Sequence, residues 1–386
     1  MLRSLFSGIS GLRAHQTMLD VTGNNIANVN TAGFKSSSTQ FQDTLSQLVQ
    51  GAAGPGAGAG GQNPAQVGLG VQLAGISTNF AQGSAQATGR ASDLMISGDG
   101  FFAVQTGGET LYTRSGAFEF DPQGRLVTQD GAFVMGWNAV GGQVNQGGGL
   151  QNVVLPRGAV SAAAATTRIE LAGNLPSDAA DGTELIRDLD VYDATGAAAT
   201  VQVTFTKDAT GWIVSDGTGI LGTLTFADGQ PTGPATLTVG GITADVSKLT
   251  GFADLSTLKV GDQDGRPAGT LDQYTIGPDG TITGTFTNGA TEAIGRIALA
   301  TFVNPGGLEK AGNSTYRATA NTGAAAYGGA GDAGYGALAG GYLEMSNVDL
   351  SQEFTNLIIA QRGFQANARI ITTSDEVLQE LTNLKR

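Results

Sequence analysis

The sequence predicts a mainly β protein with helical termini: nested β domains, one inserted in the other, plus an N- and C-terminal α-helical coiled-coil domain. Three observations predict it. Glycine supplies 61 of 386 residues without the G-X-Y period of collagen. All ten prolines lie between Pro55 and Pro305, so both ends are free of helix breakers. Charge divides the chain in the same way: residues 51–349 carry 13 basic and 27 acidic side chains, whereas both ends are nearly neutral.

Composition also bounds function. A hydrophobic fraction of 40% is enough for packed cores. The chain has no Cys, which excludes disulfide scaffolds, thiol catalysis and thiolate metal sites. Its single His, His15, leaves little room for a histidine metal centre or a Ser–His–Asp triad. A net charge of −13 argues against nucleic acid or an anionic membrane as partner. No run reaches the ~18–20 apolar residues that span a bilayer. Met1-Leu2-Arg3-Ser4-Leu5-Phe6 lacks the long apolar core of a secretory signal. Export, if it occurs, is expected by another route.

At the N-terminus, Leu5, Leu12, Leu19 and Ile26 recur every seven residues, with Leu2 and Ile9 as a companion row. This is the heptad seam of a coiled coil. The C-terminus repeats it with Leu350, Leu357, Phe364, Ile371 and Leu378. Phe354 and Ala368 form its second row, and Leu381 and Leu384 extend an apolar edge. Ser351, just ahead of Glu353, marks the expected helix start. Only Gly363 interrupts this helix, at ~1 kcal/mol relative to Ala. Gln16, Gly23, Gln361 and Asp375 weaken the two seams. The bland reading is two amphipathic helices packed on the body. The sharper one pairs them with each other and with copies from neighbouring chains. Each fully buried aliphatic side chain gains ~1.5–3 kcal/mol, against ~1–2 kcal/mol of backbone entropy per ordered residue. A lone hairpin is therefore marginal, and conditional folding of the ends is expected. His15 is expected on a polar edge.

The body reads as strands in quick succession. Phe101–Val104, Leu111–Arg114, Ala117–Phe120 and Arg125–Val127 form a first set, with Asp121-Pro122-Gln123-Gly124 as a turn. In a second set Val201, Val203 and Phe205 alternate with Gln202, Thr204 and Thr206, as in a half-solvated antiparallel strand. Trp212–Val214, Thr223–Phe226 and Thr236–Val239 continue it. Tyr274–Ile276 and Thr281–Thr283 flank the hairpin signal Gly277-Pro278-Asp279-Gly280, and Ile297–Phe302 follows. Six glycines in residues 51–61 and eight in 321–341 read as flexible linkers. The resulting division is 1–28 with 350–386 as the helical core domain and 29–85 as an extended linking segment. Residues 86–146 with 271–349 form the inner β domain, and 147–270 the inserted outer one.

No constellation carries chemistry. Gly56-Ala57-Gly58-Ala59-Gly60-Gly61 fits G-x-G-x-x-G literally, but no strand precedes it and no apolar helix follows. Asp262-Gln263-Asp264-Gly265 lacks the third ligand and terminal Glu of a calcium loop and reads as a tight acidic turn. The 33 acids offer carboxylate pairs, but two Trp and seven Tyr are few for a sugar cleft. No catalytic, cofactor-binding or metal-ligating residue is assigned. A secreted acidic β-domain enzyme or lectin remains the rival from another class.

The run Asn24-Asn25-Ile26-Ala27-Asn28-Val29-Asn30-Thr31-Ala32-Gly33-Phe34-Lys35 resembles the N-terminal signature of the bacterial flagellar rod and hook family. Physically, its Asn side chains can bond the backbone and tolerate left-handed turns, so the run ends the helix in a defined turn, and Phe34 anchors it. Ser346-Asn347-Val348-Asp349-Leu350 and Gln361-Arg362-Gly363-Phe364-Gln365-Ala366-Asn367-Ala368-Arg369 resemble the same family. So do Gly98-Asp99-Gly100-Phe101-Phe102 and Tyr112–Phe118. The inserted β set fits the hook side of the family better than the distal rod. The resemblance implies a self-assembling structural subunit of a flexible hollow tube joining motor to filament. It implies export through the flagellar type III apparatus to the outside of the cell. Implied partners are copies of itself, rod, hook-cap and hook–filament junction proteins, with no nucleic acid, membrane or cofactor. The residues expected to carry self-assembly are Leu5, Ile9, Leu12, Leu19, Ile26, Asn24, Asn25, Asn28, Asn30, Gly33 and Phe34. On the C-terminal side they are Leu350, Phe354, Leu357, Gln361, Phe364, Asn367, Ile371 and Leu378.

Overall fold

The computed structural model describes residues 2–52, 54, 58, 60–156 and 158–383. Gly56, Ala57 and Ala59 of the glycine run, and Leu384 at the end of the apolar edge, lie outside the described residues. Helix α1 spans Leu2–Ala27 and helix α2 spans Leu350–Asn383; between them the described residues form strands and their connections, with a short 3-10 turn at Pro305–Gly307.

The chain divides into two compact units. The first comprises residues 1–155, 275–282 and 293–386, and the second residues 156–274 and 283–292.

In the second unit, alternation of apolar and polar residues gives each sheet one dry face. One four-stranded sheet contains Glu184–Tyr192, Ala198–Asp208, Gly211–Ser215 and Ile220–Leu224. The other contains Thr236–Val239, Ile242–Thr250, Arg168–Asn174 and Lys259–Gln263, with the middle two strands parallel. Val203, Phe205, Trp212 and Val214 from the first meet Ile169, Leu171, Val246 and Leu249 from the second in one buried core. The acidic turn closes locally: Asp264 Oδ1 accepts the N–H groups of Thr167 and Arg168 at 2.9 Å each.

In the first unit the β core forms around aromatic side chains. Phe101, Tyr112, Phe302 and Tyr316 are buried together with Ala103, Met135, Ala300 and Leu308. Their rings meet edge to face, Tyr112 on Phe302 at 4.7 Å and Phe80 on Tyr316 at 5.2 Å. The strand Phe101–Thr106 lies between Glu109–Thr113 and Phe133–Val140, with Phe102 opposite Thr113 and Val104 opposite Val134.

Two linker expectations are corrected. Residues 321–341 contain strands rather than a flexible link: Ala326–Gly329 pairs with Thr291–Thr301, and Ala337–Gly340 with Leu94–Ser97. Gly328, Gly329 and Gly336 serve close approach. A Cβ on Gly336 would stand 2.7 Å from the Ser97 carbonyl oxygen. The other glycine run, 51–61, does not separate helix from body. It lies between Ser46–Gln50 and Ala65–Gly68, which pair with each other. Ser37–Asp43 and Val71–Thr78 continue the same antiparallel arm, Phe41 facing Leu73. Phe41, Leu45, Leu48, Val67, Leu73 and Ile76 stay exposed along it, Leu45 at 85%.

Candidate assembly surface

Helices α1 and α2 pack antiparallel, and the contacts fix their register. A Cβ on Gly8 would touch Ile370 and Ile371 at 3.5 Å, and one on Gly11 would stand 2.7 Å from the Asn367 amide oxygen. A Cβ on Gly363 would stand 2.4 Å from the His15 ring, and Asn25 Nδ2 donates to Glu353 Oε1 at 3.0 Å. From Gly8 to Asn25 the partner moves from Ile370 back to Glu353, 17 residues along each helix. Glycine at these points lets the helices approach closely, with His15 and Asn367 filling the notches. His15 is therefore in the seam and not on a polar edge: it is half-buried, and its Nδ1 is enclosed without a hydrogen bond. Gly363 is the socket for that ring and does not merely interrupt the helix.

Helix ends are set by side chains. The N–H groups of Ser351 and Gln352 donate to Asp349 Oδ1 at 2.8 and 3.2 Å, so Asp349 is the N-cap in place of Ser351. At the end of α1, Asn28 Nδ2 donates to the Asn24 carbonyl at 2.9 Å and to Asn24 Oδ1 at 2.8 Å. No Asn in this run is left-handed; Gly33 carries the positive φ, +69°. It also has no room for a side chain, since a Cβ would fall 2.5 Å from the Ser115 nitrogen.

Below the helices the two signatures meet. Asn25 is buried, donating to the Ser37 carbonyl at 2.8 Å and accepting the Ser37 N–H at 3.0 Å. Asn347 accepts the Ser36 N–H at 2.8 Å and donates to the carbonyls of Asn79 and Ala81. Phe34 is half-buried beneath the Lys310 ammonium, 4.9 Å from the ring centroid. Beside them Lys35 and Glu344 form a fully buried ion pair at 2.6 Å. Burial holds the Lys35 ammonium below its ordinary 10.5, against the opposing pull of Glu344.

The expected assembly residues fall into two groups. Leu5, Ile9, Leu12, Leu19, Ile26, Leu357, Phe364, Asn367 and Ile371 are half-buried, as is Asn28; Asn25 and Gly33 are buried. Asn24, Asn30, Leu350, Phe354, Gln361 and Leu378 are exposed. A straight helix drifts ~20° per heptad, so a row running from Leu350 to Leu378 cannot all face α1. Leu378 also lies beyond the reach of α1 at the observed register. Two further apolar strips flank the seam on α2. One consists of Leu350, Phe354 and Ile358, the other of Ile359, Ile370, Val377 and Leu381, all exposed, with Phe354 at 52% and Ile358 at 55%. Sequence reasoning missed Gly8 and Gly11 as close-approach positions, Ala14 and Ala360 as buried ones, and Arg114, Glu344 and Asn347 as partners of the N-terminal run. Small residues at three- and four-residue spacing were the available signal for the first set. Nothing local marks the second.

No helix among the described residues is long and apolar enough to cross a membrane, and no cluster of three potential metal ligands occurs among them.

Paired terminal helices pinned to a β body define a class: β-rich structural proteins closed by a hairpin of their own two ends. Sequence comparison then gives the family. Residues 5–35 match the model described as flagella basal body rod protein. Residues 95–174 match the flagellar hook protein FlgE/F/G D1 domain, and 339–384 the flagellar basal body rod FlgEFG protein C-terminal model. The chain is 38% identical to the flagellar hook protein FlgE of Borreliella burgdorferi and 39% to that of Treponema pallidum, across all of both chains in each case. It is 36% identical to the flagellar basal-body rod protein FlgG of Bacillus subtilis, again over the whole of both. The chain belongs to the flagellar hook and basal-body rod family.

Proposed function

We propose that this chain is a structural subunit of the bacterial flagellar hook, without catalytic activity, which polymerises through its terminal helices into a flexible tube transmitting motor torque to the filament. The observation that carries this reading is the pair of uncovered apolar strips on α2, in a chain that aligns end to end with hook proteins. Exposed apolar surface of that extent on a helix is satisfied by neighbouring helices. Copies of the same chain supply them most simply, since every copy carries the same strips. Export through the flagellar type III apparatus, and junctions with rod, cap and filament-joining proteins, belong to the same reading. The hook is favoured over the distal rod by the identity to the hook proteins of Borreliella burgdorferi and Treponema pallidum, 38% and 39%, against 36% to the rod protein of Bacillus subtilis.

The test is to delete the gene in its own host and to examine purified protein by negative-stain microscopy. Loss of hooks, restored by the intact gene, together with tubes formed in vitro, is the expected result. Cells that keep hooks but lack rods, or purified protein that stays monodisperse at high concentration, would overturn it.

A further inference from the structure

One cluster of buried charge lies where both ends of the chain meet the body. Lys35 and Glu344 are 309 positions apart in sequence, and neither side chain has any exposed surface. Lys35 Nζ also donates to the Ala81 carbonyl at 2.7 Å. Glu344 Oε1 accepts the Gly83 N–H at 2.8 Å. The other carboxylate oxygen, Oε2, has no hydrogen bond; the Arg114 guanidinium stands 3.6 Å from it. Arg114 is itself buried and donates to the Gly98 carbonyl at 2.9 Å. Asp99 and Tyr316 complete the surroundings of the guanidinium. The N-terminal run, the C-terminal run and the body thus each contribute one charge to one dry site.

The electrostatics of half-docked states follow. With only the C-terminal run in place, the Glu344 carboxylate is buried beside an arginine it does not reach within hydrogen-bond distance. With only the N-terminal run in place, the Lys35 ammonium is buried on a single carbonyl. Each state leaves a desolvated charge without its closest counter-ion, Glu344 keeping only the Gly83 N–H and the Arg114 guanidinium at 3.6 Å and Lys35 only the Ala81 carbonyl, which is unfavourable. Both runs in place remove the penalty from each other.

We propose that Lys35, Glu344 and Arg114 form an ionic latch that makes docking of the N-terminal run (residues 33–37) and the C-terminal run (residues 342–347) one all-or-none event. Neither end then orders on the body without the other, so α1 and α2 are presented together or not at all. The latch acts within a single chain and does not depend on the identity of the assembly.

Backbone bonds also join the runs, such as Gly33 N–H to the Glu344 carbonyl at 2.7 Å, so the test isolates the charges. Amide hydrogen exchange of the full-length soluble subunit is followed at Gly33, Ser36 and Ser37 on one run and at Met345 on the other. Lys35→Met is expected to speed exchange in both runs at least tenfold, and Glu344→Gln, which keeps an acceptor for Gly83, to do the same. The double variant K35M/E344Q is expected to be better protected than either single variant. Acceleration by K35M confined to residues 33–37 would overturn the latch. So would a double variant no better protected than the less damaged single one. Should a single variant fail to fold, a double variant that folds supports the proposal, and one that also fails overturns it.

Discussion

The Gly363 notch shows how one missing side chain places another. The His15 ring occupies the space that a Cβ at Gly363 would need. Gly363→Ala gains ~1 kcal/mol of helix propensity but forces the ring out or the helices apart, at ~1–3 kcal/mol for overpacking. The expected net result is a lower denaturation midpoint for α2, read by hydrogen exchange, and recovery in the double variant H15A/G363A. A stable single variant would show that the seam yields easily. Burial also changes titration in the β core. It pushes the Tyr316 phenol up to about 12, and raises Tyr112, which is hydrogen-bonded to the Tyr327 hydroxyl at 2.8 Å. Between about pH 10 and 12 the unfolded chain loses these protons first and binds fewer than the folded one, so stability falls as pH rises through that window. Lys35 works in the opposite direction below 10.5, because its folded form gives up its proton earlier than the unfolded one. A spectrophotometric titration should show some of the seven tyrosines ionising only as the β core unfolds. Smooth ionisation of all seven near pH 10 would contradict this.

At the scale of elements, both helices, the strands around Phe101, Tyr112, Val203, Trp212, Leu237 and Ile282 and the turns at Asp121–Gly124 and Gly277–Gly280 were legible in the sequence, because periodicity and turn chemistry are local signals. The strands within residues 37–97 and 133–192 were not read, nor were the registers. Asp349 outcompetes Ser351 as cap because its carboxylate reaches two free N–H groups. The 321–341 run reads as a linker by composition, yet Gly336 sits under backbone, Gly329 under Arg296 and Gly328 under Tyr335, contacts that no local pattern encodes. Of the candidate assembly surface, the heptad rows were visible, but which members face α1 depends on helix twist and on where α1 ends. That distinction is testable. Phe364→Asp, in the half-buried seam, should destabilise the isolated subunit by about 3 kcal/mol, the order of losing an apolar side chain from a packed face, and should abolish polymerisation. Ile358→Asp, on an exposed strip, should leave the melting temperature of the subunit within a few degrees and still block polymerisation. Tubes of normal length from I358D would show that this strip is not covered in the assembly.

At the scale of the whole molecule, the chain leaves the first unit at Leu155 and returns at Thr275, with a second short excursion over residues 283–292. The aromatic core of the first unit draws on Phe101, Tyr112, Phe302 and Tyr316, and the helix pair on α1 and α2, none of which belongs to the second unit. The second unit has its own core around Trp212 and Phe205. Each of these two cores is therefore drawn from one unit alone. A tube that bends as it turns needs neighbouring subunits to shift between contacts of similar energy. Deep aromatic anchors would instead lock one arrangement. Aromatics at 6% of the chain and glycine at 61 positions suit shallow contacts. Replacing residues 156–274 by a short glycine-serine link should leave a subunit whose helices still pair and whose tubes still form, with altered curvature and bending stiffness. Electron microscopy of hooks built from that subunit reads both quantities. Unchanged curvature and stiffness would remove any mechanical role for the second unit. A folded subunit that no longer polymerises would show instead that the second unit contributes contacts without which the tube cannot close.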